Sequence, residues 1–283
     1  MKKYFLSANT AEGYISFFDE TIEKLSLVYT LSGHGCKSSD AIKRTAYEYN
    51  ADELILNPMD VNSVCGCIWR DKKAGLFCEG AGRLNNITKN HEGLYKAYAE
   101  AKKIHDDWEK IYISNMNTEM LDRYSQETIK KILGDNTSDK QAENINRFFG
   151  ASTAEGAVNF IDELTEDLNS RYFIKGRPGT GKSTFLKRLG EAARQKGLDT
   201  ETYYCSFDPK SLDMIVIREL SLCVFDSTAP HEKFPESGRD IILDFYKEAG
   251  LSGIDEKYAK ELKEVANRYN VKLKEGMEYL GKI

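Results

Sequence analysis

The chain repeats itself, and this limits its possible folds more than any other feature. Residues 5–33, FLSANTAEGYISFFDETIEKLSLVYTLSG, lie against residues 148–176, FFGASTAEGAVNFIDELTEDLNSRYFIKG, at a constant offset of 143. Of these 29 positions, 13 are identical. A TAEG box recurs at residues 10–13 and 153–156, Asp19-Glu20 recurs as Asp162-Glu163, and Gly33 matches Gly176. The register then slips by two, so that Lys37 and Ser38 match Lys182 and Ser183. Farther on, Asp60 pairs with Asp208, Ser63 with Ser211, Arg70 with Arg218 and Phe77 with Phe225. The same features in the same order point to two units of one architecture, arisen by internal duplication.

Each unit closes on a helical stripe. Leu94, Tyr98, Ala101, His105, Trp108 and Ile111 recur every three or four residues, as do Tyr258, Leu262, Val265, Tyr269, Leu273, Met277 and Leu280. A further helix is expected near residues 118–133, followed by the polar stretch GDNTSDKQ. The expected division is a first unit over 1–133, a linker over 134–146 and a second unit over 147–283. Short apolar strands alternating with amphipathic helices imply an α/β class, with mainly parallel sheets flanked by helices and a helical extension on each unit. Within the TAEG boxes, Thr10 and Thr153 are expected to cap helices, with Gly13 and Gly156 allowing close packing.

A chain of 283 residues, 41% hydrophobic, can bury cores for two such units. Its net charge of −5 and pI near 5.6 argue against a broad cationic face for nucleic acid. The longest apolar runs, LDMIVI and LCVF, fall far short of the roughly 20 residues of a membrane span. The start, MKKYFLSANT, lacks the apolar stretch of a secretory signal, so a cytoplasmic location and reduced cysteines are expected.

The chemistry concentrates at GRPGTGKST, residues 176–184. An apolar stretch, Tyr172-Phe173-Ile174, precedes it, and a helical pattern ending at Gly197 follows. Gly176, Gly181, Lys182 and Ser183 satisfy G-x-x-x-x-G-K-S in full. Glycines let the backbone curl so that its N–H groups face phosphate oxygens, and the next helix offers its positive end to the same anion. In this reading Gly176, Arg177, Pro178, Gly179, Thr180, Gly181, Lys182, Ser183 and Thr184 form the nucleotide cradle. Lys182 meets the β- and γ-phosphates, and the Ser183 hydroxyl ligates Mg²⁺. Asp226, at the end of the apolar run Leu222-Cys223-Val224-Phe225, is the expected second metal ligand, with Asp208 as its rival. Ser227 and Thr228 follow Asp226, so no glutamate stands there to activate water.

The first copy, GHGCKSS, serves as an internal control. Aligned on Lys37, it places Leu31, His34 and Cys36 where the loop glycines belong, and Cys78 where Asp226 belongs. Residues 227–242 have no counterpart after Gly80. Loop, metal acid and downstream segment differ together, so they are read as one site, and the first copy is not expected to bind Mg-nucleotide in the usual way. His231, Glu232 and Arg239 lie in the segment found only in the second copy, and His231 is the candidate to touch the γ-phosphate, a water or a substrate. Arg177 either neutralises phosphate or faces solvent. Cys36 and Cys78 either approach each other around a soft metal or act as small buried apolar groups.

The segments GRPGTGKSTFLKRL, CSFDPKSLDM and FDSTAPHEKFP resemble an uncharacterised family of bacterial tandem P-loop ATPases. The resemblance runs through nearly the whole chain and is most specific in 147–282. Members of that family generally carry a nucleotide loop in each half, from which this chain departs in its first half. The resemblance implies binding and hydrolysis of ATP with Mg²⁺, and it names no substrate or partner. ATP is expected over GTP because no N-K-x-D guanine-reading motif is present. The readings left open are an ATPase that drives a conformational change in a partner, a small-molecule kinase using the same loop, and a nucleotide-sensing module with little turnover.

Overall fold

The computed structural model describes every residue except His34, Gly35, Asn85, Asn86, Ala154 and Glu155, and the side chain of Cys36. The expected crowding of the first loop by His34 and Cys36 therefore lies outside the described residues.

In chain order the first half forms β1 (Lys2–Tyr4), β2 (Ser7–Thr10), β3 (Gly13–Ser16), α1 (Phe18–Glu23), β4 (Leu27–Leu31), α2 (Cys36–Glu48), β5 (Glu53–Asn57), β6 (Asp60–Trp69) and β7 (Ala74–Cys78). Two helices follow, α3 (Lys89–Ile113) and α4 (Thr118–Leu133). The second half forms β8 (Asn144–Arg147), β9 (Gly150–Thr153), β10 (Gly156–Asn159), α5 (Ile161–Thr165), β11 (Ser170–Lys175), α6 (Lys182–Gln195), β12 (Thr200–Tyr204), β13 (Leu212–Ile217), β14 (Leu222–Asp226) and β15 (Asp240–Asp244). It ends in α7 (Phe245–Glu248), α8 (Ile254–Lys257) and α9 (Ala259–Leu280).

Among the described residues, two large sheets run β1-β5-β6-β7-β4 and β8-β12-β13-β14-β11-β15, and β2-β3 and β9-β10 form two-stranded sheets of their own. Strand for strand the two orders correspond, and β15 extends the second sheet beyond β11. The chain is thus α/β, with sheets flanked by helices. The sheets are mixed: the first is parallel at two of its four pairings and the second at three of its five. The pairs β1–β5, β4–β7, β8–β12, β11–β14 and β11–β15 are parallel, while β5–β6–β7 and β12–β13–β14 run antiparallel. The reason is connection length. Residues 70–73 and 218–221 are too short for a crossover and fold back as tight turns, with Lys73 and Ser221 both in the left-handed region at φ 45° and 51°.

The first TAEG box is a hairpin turn between β2 and β3, and in the second Thr153 and Gly156 pair at the ends of the antiparallel strands β9 and β10; neither threonine caps a helix. Thr10 Oγ1 donates to the Gly13 carbonyl, and Thr153 Oγ1 to that of Gly156, each at 2.8 Å. A side chain at Gly13 or Gly156 would meet open space, so close packing is not their role. Their φ values of 105° and 126° are what require glycine.

The strands β13 and β14 are central and buried, which explains their unbroken apolar runs. On α6, Phe185, Leu186, Leu189 and Ala193 form the buried face against β13. Tyr112 of α3 and Leu121, Ile132 and Leu133 of α4 join the same core as α6, β13 and β14. A second core draws from both sheets, including Tyr4, Phe18 and Phe77 with Phe149, Phe173 and Phe225. Helix α3 runs along α9 through close ring-on-glycine contacts, Tyr279 on Gly93 and Tyr98 on Gly276. No helix among the described residues is long and apolar enough to cross a membrane.

Candidate functional site

The loop of residues 176–181 joins the end of β11 to the start of α6. Gly179 and Gly181 sit at φ 76° and 78°, where L side chains are strained. A Cβ on Gly176 would lie 2.5 Å from Thr180 Oγ1 and 3.2 Å from Lys182 Cδ, so the turn closes only around glycine. Thr180 Oγ1 donates to the Arg177 carbonyl at 2.8 Å and holds the turn. The Lys182 ammonium donates to the same carbonyl at 2.9 Å and stands 3.6 Å from Asp226 Oδ2. Ser183 Oγ accepts the Leu212 N–H at 2.9 Å, which anchors the first turn of α6 to β13. Thr184 is exposed. Arg177 turns away, its guanidinium 2.8 Å from Asp255 and over the Tyr246 ring.

Asp226 closes β14 beside Ile174 of β11, and Thr228 Oγ1 donates to it at 2.7 Å. The rival Asp208 is otherwise engaged: it accepts from Lys210 N and Ser211 Oγ and pairs with Lys102 at 3.3 Å. Sequence reasoning missed Asp213. Ligand atoms of Asp213, Asp226 and His231 lie within 4.8 Å of one another. Asp213 is buried on β13, and burial, reinforced by the charge of Asp226, pushes its pKa up to about 6 against the pull of His231 and Lys182. The available signal was a lone carboxylate inside LDMIVI. His231 packs edge-on against Phe149, and its Nε2 is buried without a hydrogen-bond partner among the described residues. The two other candidates of this segment are structural ties. Glu232 pairs with Lys175 at 3.0 Å, and Arg239 donates to the carbonyls of Glu166 and Leu168.

The first half aligns at this place strand by strand. Gly66 pairs with Phe77 on β6–β7, and Met214 with Phe225 on β13–β14. Cys65 and Cys78 therefore stand where Asp213 and Asp226 stand. Burial, with Cys78 nearby, pushes the Cys65 thiol up to about 12, and burial raises Cys78 too. Both are neutral thiols, and Cys78 Sγ donates to the Val64 carbonyl at 3.3 Å.

One wall of the site comes from α3. A Cβ on Gly179 would lie 2.9 Å from the Glu109 carbonyl oxygen and 3.0 Å from Glu109 Cβ. Glu109 Oε1 lies 3.6 Å from His105 Nδ1, one helical turn earlier. Burial raises the Glu109 carboxyl above its ordinary range although Lys102 and Lys182 pull it down. Burial, with Lys102 and Lys182, lowers His105.

The donor set suits a divalent cation and a polyphosphate together: one hydroxyl and two carboxylates supply oxygens, and one ammonium stands beside them. Comparison with family models, with curated proteins and with solved structures gave no match.

Proposed function

We propose that the 176–184 loop binds the phosphates of ATP with Mg²⁺ and that the chain hydrolyses it there, using the released energy to change the conformation of a partner. The observation that carries this reading is the placement of Lys182: its ammonium is held at the mouth of a glycine loop, 3.6 Å from a strand-end carboxylate. In that position it meets phosphate charge, and Asp226 and Ser183 are beside it for the metal. Asp213 sits close enough to Asp226 to ligate the same ion or a water on it, and an ion there offsets the repulsion between the two carboxylates. His231 Nε2, buried and without a partner among the described residues, is placed to donate to a phosphate oxygen or a water. The resemblance to tandem P-loop ATPases supports the choice of ATP, and the neutral thiols Cys65 and Cys78 support a single site per chain.

The test is equilibrium binding of Mg-ATP to the purified chain, followed by phosphate release. One tight site is expected, abolished in Lys182→Ala. Two tight sites, or binding that survives Lys182→Ala unchanged, would refute the reading. Binding without turnover supports the sensing module, and turnover that waits for an added metabolite supports the kinase.

A further inference from the structure

We infer that Glu109, on α3, is the general base that takes a proton from the attacking water during hydrolysis; this rests on the reading of the 176–184 loop as an ATP site. Hydrolysis at such a loop needs a group that orients and deprotonates water on the γ-phosphate side. The strand that ends in Asp226 supplies none, because Ser227 and Thr228 follow it. Asp226 and Asp213 are committed to the metal in that reading, and Asp208 is held by Lys102 and its own turn.

Of these carboxylates Glu109 alone is left for the water, and the fold has brought it there from the other half of the chain. Its main chain touches Gly179 so closely that no side chain fits between them. This fixes α3 against the wall of the loop, within electrostatic reach of Lys182. The carboxylate is half-buried, with His105 Nδ1 3.6 Å away on the same helix face. The charged and titratable groups facing it are Lys102, His105 and Asp106 on α3, Asp208 after β12 and Lys182 in the loop. Burial outweighs the lysines and leaves a carboxylate more basic than usual, which favours proton abstraction near neutral pH.

The step balances. The water oxygen bonds to the γ-phosphorus as its proton moves to a Glu109 oxygen. The bond from the γ-phosphorus to the β,γ-bridging oxygen breaks, and its electron pair leaves with ADP. Glu109 then returns the proton to solvent. No redox change occurs.

The experiment compares wild type with Glu109→Gln in Mg-ATP binding and in phosphate release across pH. Glu109→Gln is expected to bind with unchanged affinity and to hydrolyse at least about a hundredfold more slowly, within the range of a lost general base. The acidic limb of the wild-type pH–rate profile, placed above the ordinary glutamate range by burial, is expected to vanish in the variant. Hydrolysis within about threefold of wild type, with that limb retained, overturns the assignment and leaves the ATP site standing. Failure of wild type to bind Mg-ATP overturns both. If Glu109→Gln loses binding through misfolding, Glu109→Asp decides: slowed hydrolysis with the acidic limb kept supports the base, and unslowed hydrolysis refutes it.

Discussion

Phe5 and Phe148 exchange both backbone hydrogen bonds, each N–H donating to the other's carbonyl at 2.9 Å. The two residues occupy the same position in the two halves, 143 residues apart. An antiparallel bridge between equivalent residues is self-complementary, as in a contact across a two-fold axis. Around it, Arg147 is fully buried over the Tyr4 ring, between Glu53 and Glu201, which are themselves equivalent on β5 and β12. Arg70 and Arg218, also equivalent, close the cluster, and the Tyr4 and Tyr203 hydroxyls donate to Glu53 and Glu201.

Arg147 therefore joins the halves by charge, and its loss leaves two buried carboxylates short of a cation. Arg147→Met is expected to destabilise the chain by about 3–5 kcal/mol in urea unfolding at pH 7. The acid response gives a second check. Burial would raise the Glu201 carboxyl, but Arg147, Arg218 and Arg70 hold it well below the carboxylate range. A depressed folded pKa contributes stability that is complete above the unfolded value of about 4.3 and is lost as pH falls below it. Wild type should lose stability steeply below about pH 4.3, and Arg147→Met less steeply.

Asp213 has the opposite sign. Its folded pKa of about 6 lies above its unfolded value of about 3.9, so the folded chain binds the extra proton between those values and loses stability as pH rises through them. The penalty is complete at pH 7 and comes to about 1–3 kcal/mol. Asp213→Asn should be more stable than wild type by that amount at pH 7.5, with the gain gone near pH 4, while Mg-ATP binding weakens. Equal stability of the two proteins at both pH values would mean that Asp213 is not held at a cost for the site.

How much of this was legible in the sequence depended on whether neighbours in space were neighbours in the chain. The loop with its flanking strand and helix is consecutive in the chain, and Asp226 ends its own apolar run, so both are readable. The matched strand orders follow features that the repeat had aligned, such as Arg70 with Arg218. Strand direction is not legible in apolar runs such as LCVF; short connections such as 70–73 and 218–221 are what turn the central strands antiparallel. Asp213 was hidden inside a buried run. Glu109 was hidden because α3 reads as one apolar stripe, and nothing in its periodicity says that the opposite half's Gly179 packs against it. The TAEG threonines were read as helix caps because Ser and Thr hydroxyls close hairpin turns with the same local bonds.

The hairpin glycines offer a clean measure of backbone strain. A Cβ on Gly13 or Gly156 meets nothing within 4 Å, so substitution costs only conformation. Gly13→Ala and Gly156→Ala should each destabilise by about 1–2 kcal/mol, and nearly equally, by thermal or urea unfolding. A cost well above that in one hairpin alone would reveal a packing role at that turn.

Gly179 and Gly181 share a left-handed backbone but differ in what surrounds them, which separates strain from the α3 contact. An alanine at 181 meets Leu121 Cδ2 at 3.1 Å, the far end of a side chain that can rotate aside. An alanine at 179 meets main chain, the Glu109 carbonyl at 2.9 Å and its Cα at 3.1 Å, and main chain cannot rotate aside as a side chain can. Gly181→Ala should cost about 1–2 kcal/mol of strain and leave α3 in place. Gly179→Ala should cost more, about 2–4 kcal/mol, because α3 must move off the loop as well. Amide hydrogen exchange reads the difference: protection over residues 105–113 should fall in Gly179→Ala and hold in Gly181→Ala. Unchanged protection in both would show that α3 does not depend on the loop for its seat.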